Sequence, residues 1–189
     1  MKRAGGRSQN IAKPAYRAFQ LLKDAGCARL PVRTTGQALP SSPISVWATV
    51  NASAAKTGTR GLQIFASNFW PEALGGDPRP LNTTTVEVKV AGLPGSVTSA
   101  TLTRVDDNVT RPYFLWEGWD AAACASGQCN SQCTSSTSSH ECACLKYLSA
   151  EQLEQLEAAS APAVEAVAVA EGAVRFSLAP YAIVRVRFH

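Results

Sequence analysis

The densest cluster of reactive side chains in this 189-residue sequence is Cys124-x4-Cys129-x3-Cys133-x6-His140-x-Cys142-x-Cys144. Thiolates and an imidazole together are donors suited to zinc. The paired Cys-x2-Cys knuckles that usually set up a tetrahedral site are absent, so the spacing favours a disulfide-stapled loop over a metal centre. No metal or other cofactor is expected. Cys27, the sixth cysteine, stands far upstream. Either it bridges to the loop, or one of the six stays free or pairs outside the chain.

Acid–base chemistry has little to work with. The two histidines are His140, in the Ser/Thr/Cys-rich stretch, and His189, the last residue; neither reads as a positioned base. Asp106 and Asp107 are adjacent, and neighbours on a strand point to opposite faces, so they cannot flank one bond. Arg104, two residues from Asp106, shares its face and is expected to form a structural ion pair with it. No catalytic residue is assigned. Three tryptophans, Trp70, Trp116 and Trp119, lie near predicted loops. A flat indole stacks well on a pyranose, which makes a free-standing carbohydrate-binding module the second reading of the chain. Packing is the simpler fate of Trp116, which sits among Tyr113 and Phe114.

Around these residues the chain reads as one domain with appendages. Hydrophobic residues make up 46% of it, enough for a real core. The net charge of +4 is spread along the chain, with only Lys2, Arg3 and Arg7 locally clustered, which argues against a nucleic-acid partner. There is no apolar run long enough to span a membrane. The first ten residues lack the apolar stretch of a secretory signal. Three acceptor triplets, at Asn51, Asn82 and Asn108, nevertheless read as glycosylation candidates and, with the cysteines, favour an oxidising compartment.

A helix is expected after Pro14, with Ala15, Ala18, Phe19 and Leu22 as its apolar stripe, Phe19 and Leu22 packing beside the sheet, and Gly26 ending it. Residues 31–43 read as loop. Strands are expected over 44–51, 61–68, 84–91 and 97–106, where Val86, Val88 and Val90 alternate with Glu87 and Lys89. Ser149-Ala-Glu-Gln152 is a capping box that opens a second helix over 150–159. Strands over 173–179 and 182–189 are expected to pair as a hairpin across Pro180-Tyr181. The pattern predicts a mainly β fold, an immunoglobulin-like antiparallel β-sandwich of about seven or eight strands, with one leading helix and one short inserted helix.

Two stretches resemble glycoside hydrolase family 39, the family of β-xylosidases and α-L-iduronidases. Lys13-Pro-Ala-Tyr-Arg-Ala-Phe-Gln-Leu-Leu22 is similar to the last helix of that family's (β/α)8 barrel. Thr103-Arg-Val-Asp106, Asn108, Tyr113 and Trp116, then Tyr147-Leu-Ser-Ala-Glu-Gln-Leu-Glu-Gln-Leu-Glu-Ala158 and the closing strands, are similar in order to its carboxyl-terminal β-sandwich. The resemblance implies residues 1–30 as basic terminus and last barrel-type helix, and residues 31–189 as the sandwich, with a Cys-rich insertion at 124–144. It further implies a parent that hydrolyses O-glycosyl bonds, with carbohydrate and the catalytic barrel as partners and an extracellular or lysosomal location. Retaining hydrolysis in the family uses two glutamates, about 5 to 5.5 Å apart across the sugar, the first usually within Asn-Glu-Pro. This sequence has no Asn-Glu-Pro, and only twelve residues precede Lys13, so the chain by itself is expected to be inactive.

Overall fold

The computed structural model describes residues 11–35, 43–51, 61–69, 82–126 and 148–189. Its elements run α1 (Pro14–Lys23), β1 (Ala28–Leu30), β2 (Ile44–Val50), β3 (Leu62–Asn68), β4 (Thr84–Lys89), β5 (Ser99–Val105), α2 (Pro112–Ala125), α3 (Ala150–Ala159), β6 (Ala163–Ala170), β7 (Ala173–Leu178) and β8 (Ile183–Phe188). The strands form one curled antiparallel sheet in the order β1-β2-β3-β8-β5-β6-β7-β4. This is the mainly β, sandwich-like architecture that the alternating strands predict.

Period-two alternation builds the core. Ile64 and Ala66 of β3, Ala100 and Leu102 of β5, and Val184, Val186 and Phe188 of β8 point inward from one layer. Val174, Phe176 and Leu178 of β7 close over them from the other, with Val86 and Val88 of β4 at the margin. β7 lies opposite β3 across this core. One polar side chain ties the layers together: Asn68, fully buried, donates through Nδ2 to the carbonyl oxygens of Asn82 (3.0 Å) and Leu178 (3.3 Å).

The expected hairpin between the last two strands does not form. β8 runs between β3 and β5, whereas β7 pairs with β4 and β6. Both strands carry three large apolar residues on one face, and side by side in one layer these faces would need a third element to cover them. Crossing the chain through the tight turn at Ala179–Ala182, where the Ala182 N–H donates to the Ala179 oxygen (3.2 Å), lets the two faces cover each other. The actual hairpin is β6–β7, turning on Glu171 and Gly172 with φ of 52° and 73°, the left-handed pair that suits a two-residue turn.

Three further elements depart from the sequence reading. β1, three residues paired with β2, is too short to show an alternation. β6 is Ala-Val-Glu-Ala-Val-Ala-Val-Ala, whose alanines weaken the strand signal. α2 is a third helix, opened by Pro112 in its first turn. Its aromatic and apolar residues surround the helix rather than forming a stripe, so periodicity does not reveal it. The capping box of α3 forms as expected: Ser149 Oγ accepts from the Gln152 N–H (3.1 Å), and Gln152 Oε1 accepts from the Ser149 N–H (2.9 Å).

Gly26 lets the turn after α1 lie directly on β2. A Cβ there would collide with the backbone carbonyl of Val50, and backbone cannot rotate away as a side chain can. Gly26→Ala is expected to destabilise the fold by about 1–3 kcal/mol, read as a lower urea midpoint with an unchanged m-value.

Candidate functional site

The layer that contains β3, β5 and β8 is covered on both faces, and its outer face positions the residues with functional potential. Phe65, on the outer side of β3, is fully buried and stacks on Trp47 of β2 (centroids 5.5 Å apart, planes at 10°). α1 lies on this face against β5 and β8 and buries Leu21. Phe19 is 70% exposed and Leu22 only half-buried, which corrects the expected packing stripe. The covered side of α1 instead runs through Pro14, Arg17, Ala18 and Leu21, because Arg17 has a partner beneath the helix.

That partner is Ser160, the fully buried C-cap of α3. Arg17 donates from Nε to the Ser160 carbonyl (3.0 Å) and from Nη2 to Ser160 Oγ (3.1 Å), while Nη1 reaches Gln20 Oε1 (2.9 Å). The Arg111 N–H donates to the Ala159 carbonyl (3.0 Å), so α2 starts from the same point. At the other end of α1, Arg185 Nη1 reaches the Leu21 oxygen (3.5 Å) and Asp24 Oδ2 (3.3 Å), and Gln63 Nε2 donates to the Asp24 oxygen (2.8 Å). An arginine thus sits at the C-terminus of both α1 and α3, where a cation complements unpaired carbonyls and the helix dipole.

Asp106 follows β5 and is buried to 3% exposure. Its Oδ1 accepts from the N–H groups of Asn108 (2.7 Å) and Val109 (3.1 Å), closing the turn toward α2. Oδ2 lies 3.1 Å from Arg104 Nε, whose guanidinium also reaches Glu165 Oε1 at 3.5 Å. The N–H of Nε does not aim at Oδ2, so this contact is an ion pair rather than a directed hydrogen bond. The expected Arg104–Asp106 pairing is present, and it is structural. Asp107 points outward and is exposed.

Trp116 and Trp119 lie on α2 and are each half-buried. Tyr113 (51% exposed) leans on Trp116 at 6.0 Å and 36°, and Phe114 carries the Arg111 guanidinium over its ring at 4.9 Å. Cys27 is an exposed free thiol. Cys124 lies on the last turn of α2. Cys129, Cys133, Cys142, Cys144, His140 and Trp70 lie outside the described residues. His189 Nε2 lies 2.5 Å from Thr101 Oγ1 at the end of β8. Asn51, Asn82 and Asn108 are all exposed. Among the described residues no cluster of three or more His, Cys, Asp or Glu side chains is placed to hold a metal, and no helix is long and apolar enough to cross a membrane. The attachment of α1 to α3 by Arg17 and to β8 by Arg185 is not visible in the sequence, since Arg17 and Ser160, like Asp24 and Arg185, are far apart in the chain.

Two predictions follow from this geometry. Asp106→Ala is expected to cost about 2–3 kcal/mol, because two backbone donors lose a charged acceptor and Arg104 loses its buried partner. Asp106→Asn keeps the acceptor and is expected to cost less; denaturant titration of the pair checks the order. On α1, Leu21→Ala is expected to cost about 2–4 kcal/mol, whereas Phe19→Ser stays within about 0.5 kcal/mol, as thermal unfolding of both variants would show.

No protein-family model matches the chain, and no curated protein matches it in sequence. Solved structures do. The chain is similar to the bacterial orthologue of human α-L-iduronidase, with a TM-score of 0.63 and 20% identity over 94% of this chain and 27% of that one. It is also similar to an arabinofuranosidase, with a TM-score of 0.51 and 12% identity over 97% of this chain and 30% of the other. The chain therefore spans less than a third of either structure, and at these identities the likeness is one of fold.

Proposed function

We propose that this chain is the carboxyl-terminal, non-catalytic β-sandwich region of a family 39-like glycoside hydrolase. The parent activity would be hydrolysis of O-glycosyl bonds of the xyloside or iduronide type. The observation that carries this reading is the asymmetry of coverage: 94% of this chain superposes on 27% of a protein described as an α-L-iduronidase orthologue. The family 39 resemblance of the Lys13–Leu22 stretch points the same way. In this reading the remaining length of the parent supplies the barrel and its two glutamates.

α1 fits the role of a shared element. One side is held to the sheet by Leu21 and Arg185 and to the end of α3 by Arg17, while Tyr16 (57% exposed) and Phe19 face away from it. An apolar face of this kind is suited to covering by barrel strands. The sandwich then braces the barrel, and carbohydrate is a partner only through the parent. The exposed asparagines at 51, 82 and 108 and the Cys-rich stretch support placing the parent in an extracellular or lysosomal setting, with glycans and disulfides. A free-standing carbohydrate-binding module has less support, since Trp116 and Trp119 are half-buried in α2 rather than laid out as an open platform.

The purified chain is expected to release no chromophore from aryl β-xylosides or aryl α-L-iduronides at any pH between about 4 and 8, the span over which glycosidase carboxyl pairs operate. Turnover that survives repeated purification, and is lost on substituting one carboxylate of this chain, would contradict the reading.

A further inference from the structure

β4 ends the sheet. It pairs with β7 along one edge, and among the described residues nothing pairs with the other. Its inward residues Val86 and Val88, with Val90 just beyond, pack against the core yet stay only half-buried. At the opposite end of the sheet, Leu30, Ile44 and Val46 of β1 and β2 are in the same condition, beside a shallow cleft of about 520 Å³ lined by Arg29, Leu30, Pro31, Val32 and Val46. The sheet thus curls without closing, and an additional strand beside β4 would cover apolar groups left at its margin.

The outward face of β4 carries Thr85, Glu87 and Lys89, all exposed. Charges on an edge strand usually discourage pairing with other chains. Here the two charges are opposite in sign and two residues apart, a pattern that complements itself when reversed. We propose that β4 pairs antiparallel with β4 of a second copy of this chain, about a two-fold axis at Val88. In that register Glu87 of each copy stands opposite Lys89 of the other on the solvent face. Val86 stands opposite Val90, and Val88 opposite Val88, on the core face.

Neighbouring registers are worse. Moving the axis to Glu87 sets Glu87 directly against Glu87, and like charges directly opposite are destabilising. A slip of one residue places valines opposite charged side chains on the wrong face. The self-complementing charges of the edge point to a second copy of this chain as the occupant. The contact is an isologous one, in which the same patch serves both copies.

Sedimentation equilibrium of the full chain tests this. From about 1 to 200 µM, the range in which a short strand pairing competes with its association cost, the wild-type chain is expected to show a monomer–dimer equilibrium. Lys89→Glu is expected to raise the dissociation constant about tenfold or more, because two attractive pairs become repulsive. Glu87→Lys is expected to do the same, and the doubly exchanged Glu87→Lys/Lys89→Glu chain to recover the dimer. Circular dichroism of each variant shows that it is folded. Lys89→Glu carries most weight, since Glu87 also pairs with Arg175 within its own chain. A monomer throughout the range, including one whose β4 amides are protected by some other segment, overturns the proposal. So does a dimer indifferent to both single reversals. Neither outcome bears on the glycosidase reading, which rests on other residues.

Discussion

The structure depends on how α1 is held against the outer face of the sheet. Leu21 supplies the apolar contact, but a ten-residue helix with one buried leucine is marginal by itself. Its two ends are fixed by arginines, Arg185 reaching up from β8 to the Leu21 carbonyl and the Asp24 carboxylate and Arg17 reaching across to the buried end of α3. Because α2 begins at the Ala159 carbonyl beside that same point, three helices are positioned by one short polar chain. The sheet orders α1, α1 helps to order α3, and α3 anchors α2.

This arrangement explains why the central strands are buried on both faces. β3 is buried at six of its seven residues, since Leu62, Ile64 and Ala66 face the sandwich core while Gln63 and Phe65 lie under the helix layer. A strand covered on both faces loses the alternation that a half-exposed strand shows. β4, at the edge, keeps a strict alternation with exposed Thr85, Glu87 and Lys89, in keeping with a solvated outer face. A helix covering one layer and a curled second layer covering the other leave β4 and β1 as the sheet's two open edges among the described residues.

Much of this was legible in the sequence, for identifiable reasons. The strands over 44–51, 61–68, 84–91 and 97–106, the capped helix at 150–159 and the Arg104–Asp106 pair are local features, set by residues two to four apart. What escaped was decided by tertiary context. The partner of β8 was misjudged because two adjacent apolar strands suit a hairpin and a layer crossing equally well, and only the filled core distinguishes them. α2 escaped because its aromatics surround the helix, and the latch escaped because Arg17 and Ser160 are far apart in the chain. Among the proposed sites, the tryptophans of α2 are placed and half-buried, the three asparagines are exposed, and most of the Cys-rich stretch lies outside the described residues.

The proposal that this fold is one part of a larger glycosidase has a simple consequence for size. It is tested by the mass of the natural polypeptide that carries these residues, taken by denaturing immunoblot with an antibody raised against a peptide of this chain and followed by peptide sequencing of the band. The expected polypeptide has roughly three to four times the mass of this domain, as the 27% and 30% shares of the two similar structures imply, which leaves room for a (β/α)8 barrel of about 250 residues or more and further segments, and its peptides include the two barrel glutamates. A native band of about 20 kDa, with every peptide falling within residues 1–189, would contradict it.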